Sequence, residues 1–204
     1  MNEKEILSFV AVALAFAGFY PYIRSILKGS TKPHVFSWVI WGLTTLIVFF
    51  AQIAGKGGVG AWSTGVSALI TFYVAYLALI RRADVRIAKV DWVYFLVALI
   101  AIPIWYLTSN PLWAVIILTS IDVLGSLPTL RKILHNPFSE NALFYSIMGV
   151  RSTVSIFALE YYSWTTILFP AVLSVMCVFF VWILLMGRRK AEENMSRRAA
   201  ALGG

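Results

Sequence analysis

The chain has 204 residues, of which 60% are hydrophobic and 15% aromatic but only 13% charged, and its mean hydropathy is +0.83. That balance excludes an ordinary soluble domain and describes a membrane protein. The formal net charge of +8 does not indicate nucleic acid, because the basic residues gather at the ends of apolar segments.

A hydrocarbon core about 30 Å thick takes roughly 20 apolar residues per helix. Seven segments answer to that length: 6–27, 34–54, 61–80, 91–108, 112–134, 141–160 and 164–186. The first has a mostly acidic flank, NEKE, and is read as a retained span rather than a cleaved secretory signal. It ends in GFYPYIRSIL, where Gly18 and Pro21 predict a bend, because proline removes a backbone donor and crowds the carbonyl four residues earlier. Arg24 stands where the helix leaves the lipid. The connection KGSTKPH lacks the spaced glycines and ending of a phosphate-binding loop, and His34 reads as a capping or interfacial residue.

The second segment opens with Trp38 and Trp41. The third follows the turn AGKGGVG and sets Ser63, Thr64, Ser67 and Thr71 at spacings of three and four, hence on one helical face, with Tyr73 and Tyr76 able to add stacking surface and a hydroxyl. The fourth is short and contains Pro103, yet its core carries no charge. The fifth holds Asp122 and ends in GSLPTLRKIL with Gly125 and Pro128; the sixth holds Tyr145 and Arg151. The seventh begins with Thr165 and Thr166, contains Ser174 and the lone Cys177, and leads into a basic tail expected to be solvated and briefly helical.

Fourteen of the seventeen Lys and Arg residues lie on alternate connections and the tail, against Lys4 and Lys56 on the other side and Arg151 within a span. The positive-inside rule then puts the N-terminus outside and the C-terminus in the cytoplasm, with anionic lipid at the basic face. Localisation is expected in a bacterial inner membrane. One cysteine permits no internal disulfide, and neither a metal ligand set nor a catalytic serine-histidine-acid group is spaced in the sequence, so no metal, no cofactor and no enzymatic activity are expected.

GFYPYIRSIL and GSLPTLRKIL share five of ten positions at an offset of 107, and the match continues with Trp38 over Tyr145, Ile40 over Ile147, Gly42 over Gly149 and Phe50 over Phe157. After a five-residue adjustment Trp62-Ser63-Thr64 lies over Trp164-Thr165-Thr166. The expected organisation is a first three-helix repeat over 1–80, a basic loop and linker helix over 81–110, a second repeat over 111–186 and a tail over 187–204. An odd linker helix makes the two repeats parallel, related by an axis along the membrane normal.

In this architecture, its outside N-terminus and the prolines near the inner ends of helices 1 and 5, the chain resembles the SWEET and PQ-loop transporter superfamily. The proline-glutamine pair of that superfamily stands here as Pro21-Tyr22 and Pro128-Thr129. The resemblance implies an all-helical fold of two three-helix bundles and transport of a small solute. It makes Pro21 and Pro128 hinge or gate positions, to which Gly18 and Gly125, three residues earlier at the same bends, are added on position, and implies that the third helices, with Ser63, Thr64, Ser67, Thr71, Tyr73, Thr165, Thr166 and Ser174, line the path. Trp38 and Tyr145, matched by the repeat, are candidates for a cytoplasmic constriction.

Asp122 and Arg151 are the ionisable residues near the middle of spans, where charges are costly and mark function. Each lies ten residues into its helix, about 15 Å deep, on antiparallel helices entering from opposite faces. They are expected to meet near the midplane, as a structural ion pair, as a proton or cation site at Asp122 that releases Arg151, or with Arg151 binding an anionic substrate directly. The function expected is alternating-access movement of a small polar solute, sugar-like or another neutral or zwitterionic metabolite, with Asp122 as the element of any proton coupling and a homo-oligomer left open. A non-transporting receptor or scaffold, or a channel, is the alternative use of the same fold.

Overall fold

The computed structural model describes residues 2–29, 33, 35–81, 89–138 and 140–202; His34, Lys32, Arg82 and Arg86 lie outside them, as do the side chains of Pro128, Arg131 and Lys132. Every regular element among the described residues is helical: α1 (Glu3–Leu27), α2 (Val35–Ala54), a 3-10 turn (Gly58–Ala61), α3 (Trp62–Ile80), α4 (Lys89–Thr108), α5 (Pro111–His135), α6 (Ala142–Phe157) and α7 (Trp164–Leu202).

Local chemistry fixes several ends. Asn2 accepts a hydrogen bond from the Glu5 amide at 2.8 Å while the Glu5 carboxylate accepts from the Asn2 amide at 2.9 Å, a reciprocal cap on α1. Asn141 caps α6 through the Leu143 amide at 2.9 Å. The helices continue through Pro21, Pro103 and Pro170, and the backbone of α5 is likewise helical through position 128. α7 does not stop at the expected boundary near 186 but runs on to Leu202.

Four stretches are long and apolar enough to cross a membrane: Glu3–Leu27, Val35–Ala54, Gly58–Ile80 and Trp164–Glu193. Three shorter apolar helices, Trp92–Thr108, Pro111–Leu127 and Ala142–Phe157, accompany them. The shortest, α6, has 16 residues and spans about 24 Å. Phe9, Leu69, Leu79, Val175, Val178 and Trp182 stand exposed, as lipid-facing side chains do, and Trp62, Trp92, Trp113 and Trp164 are exposed near helix ends.

The helices do not pack in chain order. α3 lies against both α1 and α2, and α7 lies against both α5 and α6. α1 packs on α6 and α2 on α5, while α4 packs on α5 and α2. The main core joins Ile40, Ile47 and Val48 of α2 to Ala98 and Ala101 of α4, to Val115 and Leu118 of α5 and to Phe169 of α7. Ala98 and Ala101, three apart and fully buried, let the α4 backbone approach closely.

At the end of the molecule holding the α1 N-terminus, polar contacts bind the 55–61 turn to the 158–163 turn. The Glu160 amide donates to the Gly57 carbonyl at 3.1 Å, the Val59 amide donates to Glu160 Oε1 at 3.2 Å, and Ser8 Oγ donates to the Val59 carbonyl at 2.6 Å. Lys4 Nζ donates to the Phe157 carbonyl and to Tyr162 Oη, each at 2.7 Å. Gly58 has φ +58°, with the Glu160 carboxylate against it, so a side chain there meets both strain and an obstacle.

Gly60 is the tighter position, since a Cβ there would lie 2.5 Å from the Leu159 amide nitrogen and 2.6 Å from its Cα, backbone atoms that cannot swing aside. At Gly125 the nearest atom, Trp41 Nε1, would be 3.5 Å away. Gly60→Ala is expected to destabilise the protein by about 1–3 kcal/mol through overpacking, whereas Gly125→Ala is neutral or stabilises by up to about 1 kcal/mol. Thermal unfolding of the two variants in one detergent checks this; equal midpoints would refute the tight docking of the two turns.

Candidate functional site

Asp122 and Arg151 do not pair. Asp122, on α5, accepts a hydrogen bond from Thr44 Oγ1 of α2 at 3.3 Å. Arg151, on α6, points to α3: Nη1 donates to Ser67 Oγ at 2.8 Å and to the Ser63 carbonyl at 3.4 Å, and Nη2 donates to Ser152 Oγ at 3.4 Å. The expected pairing assumed that consecutive antiparallel helices are neighbours. In the fold α7 stands between α5 and α6, so each charged residue faces a different partner helix.

The positions nonetheless correspond. At the 107-residue offset Asp122 matches Ala15 and Arg151 matches Thr44. Asp122 meets Thr44 where α5 packs on α2, and the equivalent crossing of α1 on α6 carries Ala15 and Arg151. The glycines repeat the pattern. A Cβ on Gly18 would overlap the Met148 methyl, and Gly125 faces Trp41; Met148 and Trp41 are themselves 107 residues apart. Gly18 and Gly125 therefore sit at the two equivalent helix crossings; at Gly18 the lack of a side chain admits the Met148 methyl, while at Gly125 a Cβ would meet the Trp41 indole at ordinary contact distance.

Trp38 and Tyr145 fall into one aromatic cluster. Trp38 stacks on Tyr22 at 5.1 Å and meets Phe19 edge-on at 6.3 Å; Phe19 meets Phe144 at 6.2 Å, and Phe144 meets Tyr145 at 5.3 Å. Trp41 and Phe180 extend the chain of rings at either end. Such edge and stacked pairs contribute about 0.5–1.5 kcal/mol each beyond area burial. Pro21 is exposed on α1 immediately before Tyr22, so any bend at Pro21 would move a ring that closes this cluster. Nearby, Arg188 of α7 holds the 136–141 connection by donating to the carbonyls of Pro137 at 3.0 Å and Glu140 at 2.7 Å.

The hydroxyls of the third helices divide. Ser63, Thr64, Ser67 and Thr71 are buried, as expected of one face; Ser67 and the Ser63 carbonyl serve Arg151, while Thr71 Oγ1 bonds back to the Ser67 carbonyl at 2.7 Å. Tyr73 lies on another side, 46% exposed, lining an apolar groove of about 640 Å³ between α1 and α3 with Phe16, Tyr20 and Leu69. Thr165 packs on Gly55. Thr166 holds the turn before α7, its Oγ1 donating to the Tyr161 carbonyl at 2.9 Å and accepting from the Ser163 amide at 3.0 Å. Ser174 joins Thr153 of α6 at 2.6 Å.

Sequence reading missed Gln52 and Ser152. Gln52 is fully buried and its Nε2 donates to the Thr166 carbonyl at 2.9 Å, bridging α2 to α7. A lone amide within an apolar span was the available signal. Compared with known proteins, the chain matches no protein-family model, no curated protein and no solved structure.

Because Asp122 and Arg151 share no hydrogen-bond partner, Asp122→Asn and Arg151→Gln are expected to be additive in stability to within about 0.5 kcal/mol. A double-mutant cycle on purified protein measures this. Coupling of about 1–3 kcal/mol, as for residues in contact, would show that they pair after all.

Proposed function

We propose that the chain is a seven-span transporter of the SWEET and PQ-loop type, two parallel three-helix bundles joined by α4, with the N-terminus outside and the C-terminus in the cytoplasm. It moves a small neutral or zwitterionic solute by alternating access between the bundles. The observation that carries this reading is the matched pair of crossings, Gly18 on Met148 and Gly125 on Trp41, at one sequence offset. Two elements that repeat both their sequence and their contacts are what a two-fold-related transporter requires. In agreement, each half sets its third helix against its first and second, and α4 packs on α5 and α2 as a linker would.

The two ends are held by different chemistry, which suits a protein that opens one end at a time. The proposed outer end is closed by hydrogen bonds between the 55–61 and 158–163 turns, and the proposed inner end by the ring cluster of Tyr22, Trp38, Phe19, Phe144 and Tyr145. Rings slide and rotate with less directional cost than hydrogen bonds impose. Trp38 and Tyr145 then form the inner gate and Pro21 the hinge that moves it, with Pro128 as its counterpart in α5. Asp122, with Thr44 as its single hydrogen-bond donor among the described residues, is the coupling residue if transport is driven by protons.

Protein reconstituted in liposomes is expected to take up at least one member of a panel of sugars, amino acids and vitamins, faster under an imposed proton gradient. Asp122→Asn is expected to lose the gradient's effect and keep solute exchange. No uptake and no ligand-induced thermal shift across the panel would overturn transport; uptake indifferent to the gradient in the wild type would overturn the coupling role alone.

A further inference from the structure

Arg151 is 5% exposed, and each hydrogen bond its guanidinium makes goes to a neutral oxygen: Ser67 Oγ, the Ser63 carbonyl and Ser152 Oγ. A guanidinium keeps its charge in proteins, and a buried charge without a counter-charge costs several kcal/mol. The remaining donors of the cluster are uncommitted. Arg151 Nε and Ser63 Oγ have no partner among the described residues, and both belong to side chains at least nine-tenths buried. Ser67 and Ser152 use their hydroxyl oxygens as acceptors toward the guanidinium, which turns their O–H bonds away from it and frees them to donate elsewhere.

We propose that Arg151, Ser63, Ser67 and Ser152 form a binding site for a small monovalent anion, a halide or a carboxylate group. The cluster combines one fixed positive charge with as many as four free donors, the inverse of a cation site. A single guanidinium neutralises one charge, which favours a monovalent ion over a phosphate dianion. The positional match explains why only one half has the site, since Thr44 occupies the place of Arg151 and turns its hydroxyl to the Trp41 carbonyl and Asp122. The site does not depend on transport: chloride would fill it as a resident counter-ion, and a solute carboxylate would fill it as cargo.

The 204-residue chain in nanodiscs is tested at fixed sodium and ionic strength in chloride, in acetate and in gluconate, the last too bulky for a buried site. Thermal unfolding is expected to rise saturably by about 5 °C in chloride or acetate at a hundred-fold excess over the dissociation constant, relative to gluconate. Chloride-35 line broadening reads occupancy directly. Broadening that acetate removes identifies a carboxylate as a ligand, and broadening that acetate leaves intact restricts the site to halide. Arg151→Gln is expected to abolish both signals, and Ser67→Ala, a smaller change that keeps the folded state, to weaken apparent affinity about tenfold. Equal unfolding in the three salts, or broadening unchanged in Ser67→Ala and Arg151→Gln, would overturn the proposal.

Discussion

Two helix crossings, α1 over α6 and α2 over α5, hold the halves of the molecule together, and a glycine sits at each. Lipid tails are as apolar as leucine, so helices in a bilayer associate through close packing and polar contacts rather than by escaping water. Gly18 lets α1 come within reach of the Met148 methyl, and Gly125 faces the Trp41 indole at the equivalent position, where a Cβ would also fit. Around those crossings α3 stands against α1 and α2, and α7 against α5 and α6. The placement of Asp122 and Arg151 follows, because each lies on a helix whose neighbour is chosen by the crossing and not by chain order.

Beyond the crossings the ends diverge. The long turn AGKGGVG is what allows one end to close tightly: Gly58 adopts φ +58° beside the Glu160 carboxylate, and Gly60 puts backbone against the backbone of Leu159. The extra residues that interrupt the repeat at this turn thus build the dock. The other end is joined by ring faces and by Arg188, which grips two carbonyls of the 136–141 connection. Hydrogen-bonded backbone opens in steps and aromatic clusters shear, so in the proposed transporter the two gates would respond differently to the same solute.

The helix positions were legible in the sequence because hydrophobic length and basic ends report directly on the helices: the expected 34–54 and 61–80 are α2 at Val35–Ala54 and α3 at Trp62–Ile80. The buried face of Ser63, Thr64, Ser67 and Thr71 was likewise legible from its spacing. Neighbours were not. Nothing in the local pattern of 112–134 or 141–160 says that a third helix will come between them, and the pairing of Asp122 with Arg151 failed for that reason. The repeat contained the needed clue, since the offset that aligns Gly18 with Gly125 also aligns Trp41 with Met148, but the contact itself is made only in three dimensions. Gln52 was passed over because its partner lies across the molecule: its Nε2 donates to a carbonyl 114 residues away, while its Oε1 has no partner among the described residues.

The chemical asymmetry between the halves bears most on function. An exact copy of the first half would place Ala and Thr at both crossings, neutral, with the hydroxyl partly satisfied in its own helix as Thr44 Oγ1 is through the Trp41 carbonyl. Replacing one member of each pair, Ala by Asp at 122 and Thr by Arg at 151, puts opposite charges on different helices without letting them neutralise each other. Stability alone gives no reason to keep such an arrangement, because two separated charges pay desolvation without recovering the attraction of a pair. Among the described residues Arg151 is compensated only by neutral oxygens and Asp122 by one hydroxyl. That separation suits binding, since a mobile anion or a zwitterionic solute can supply at the guanidinium, and a proton or ammonium at the carboxylate, the charge that the fold withholds.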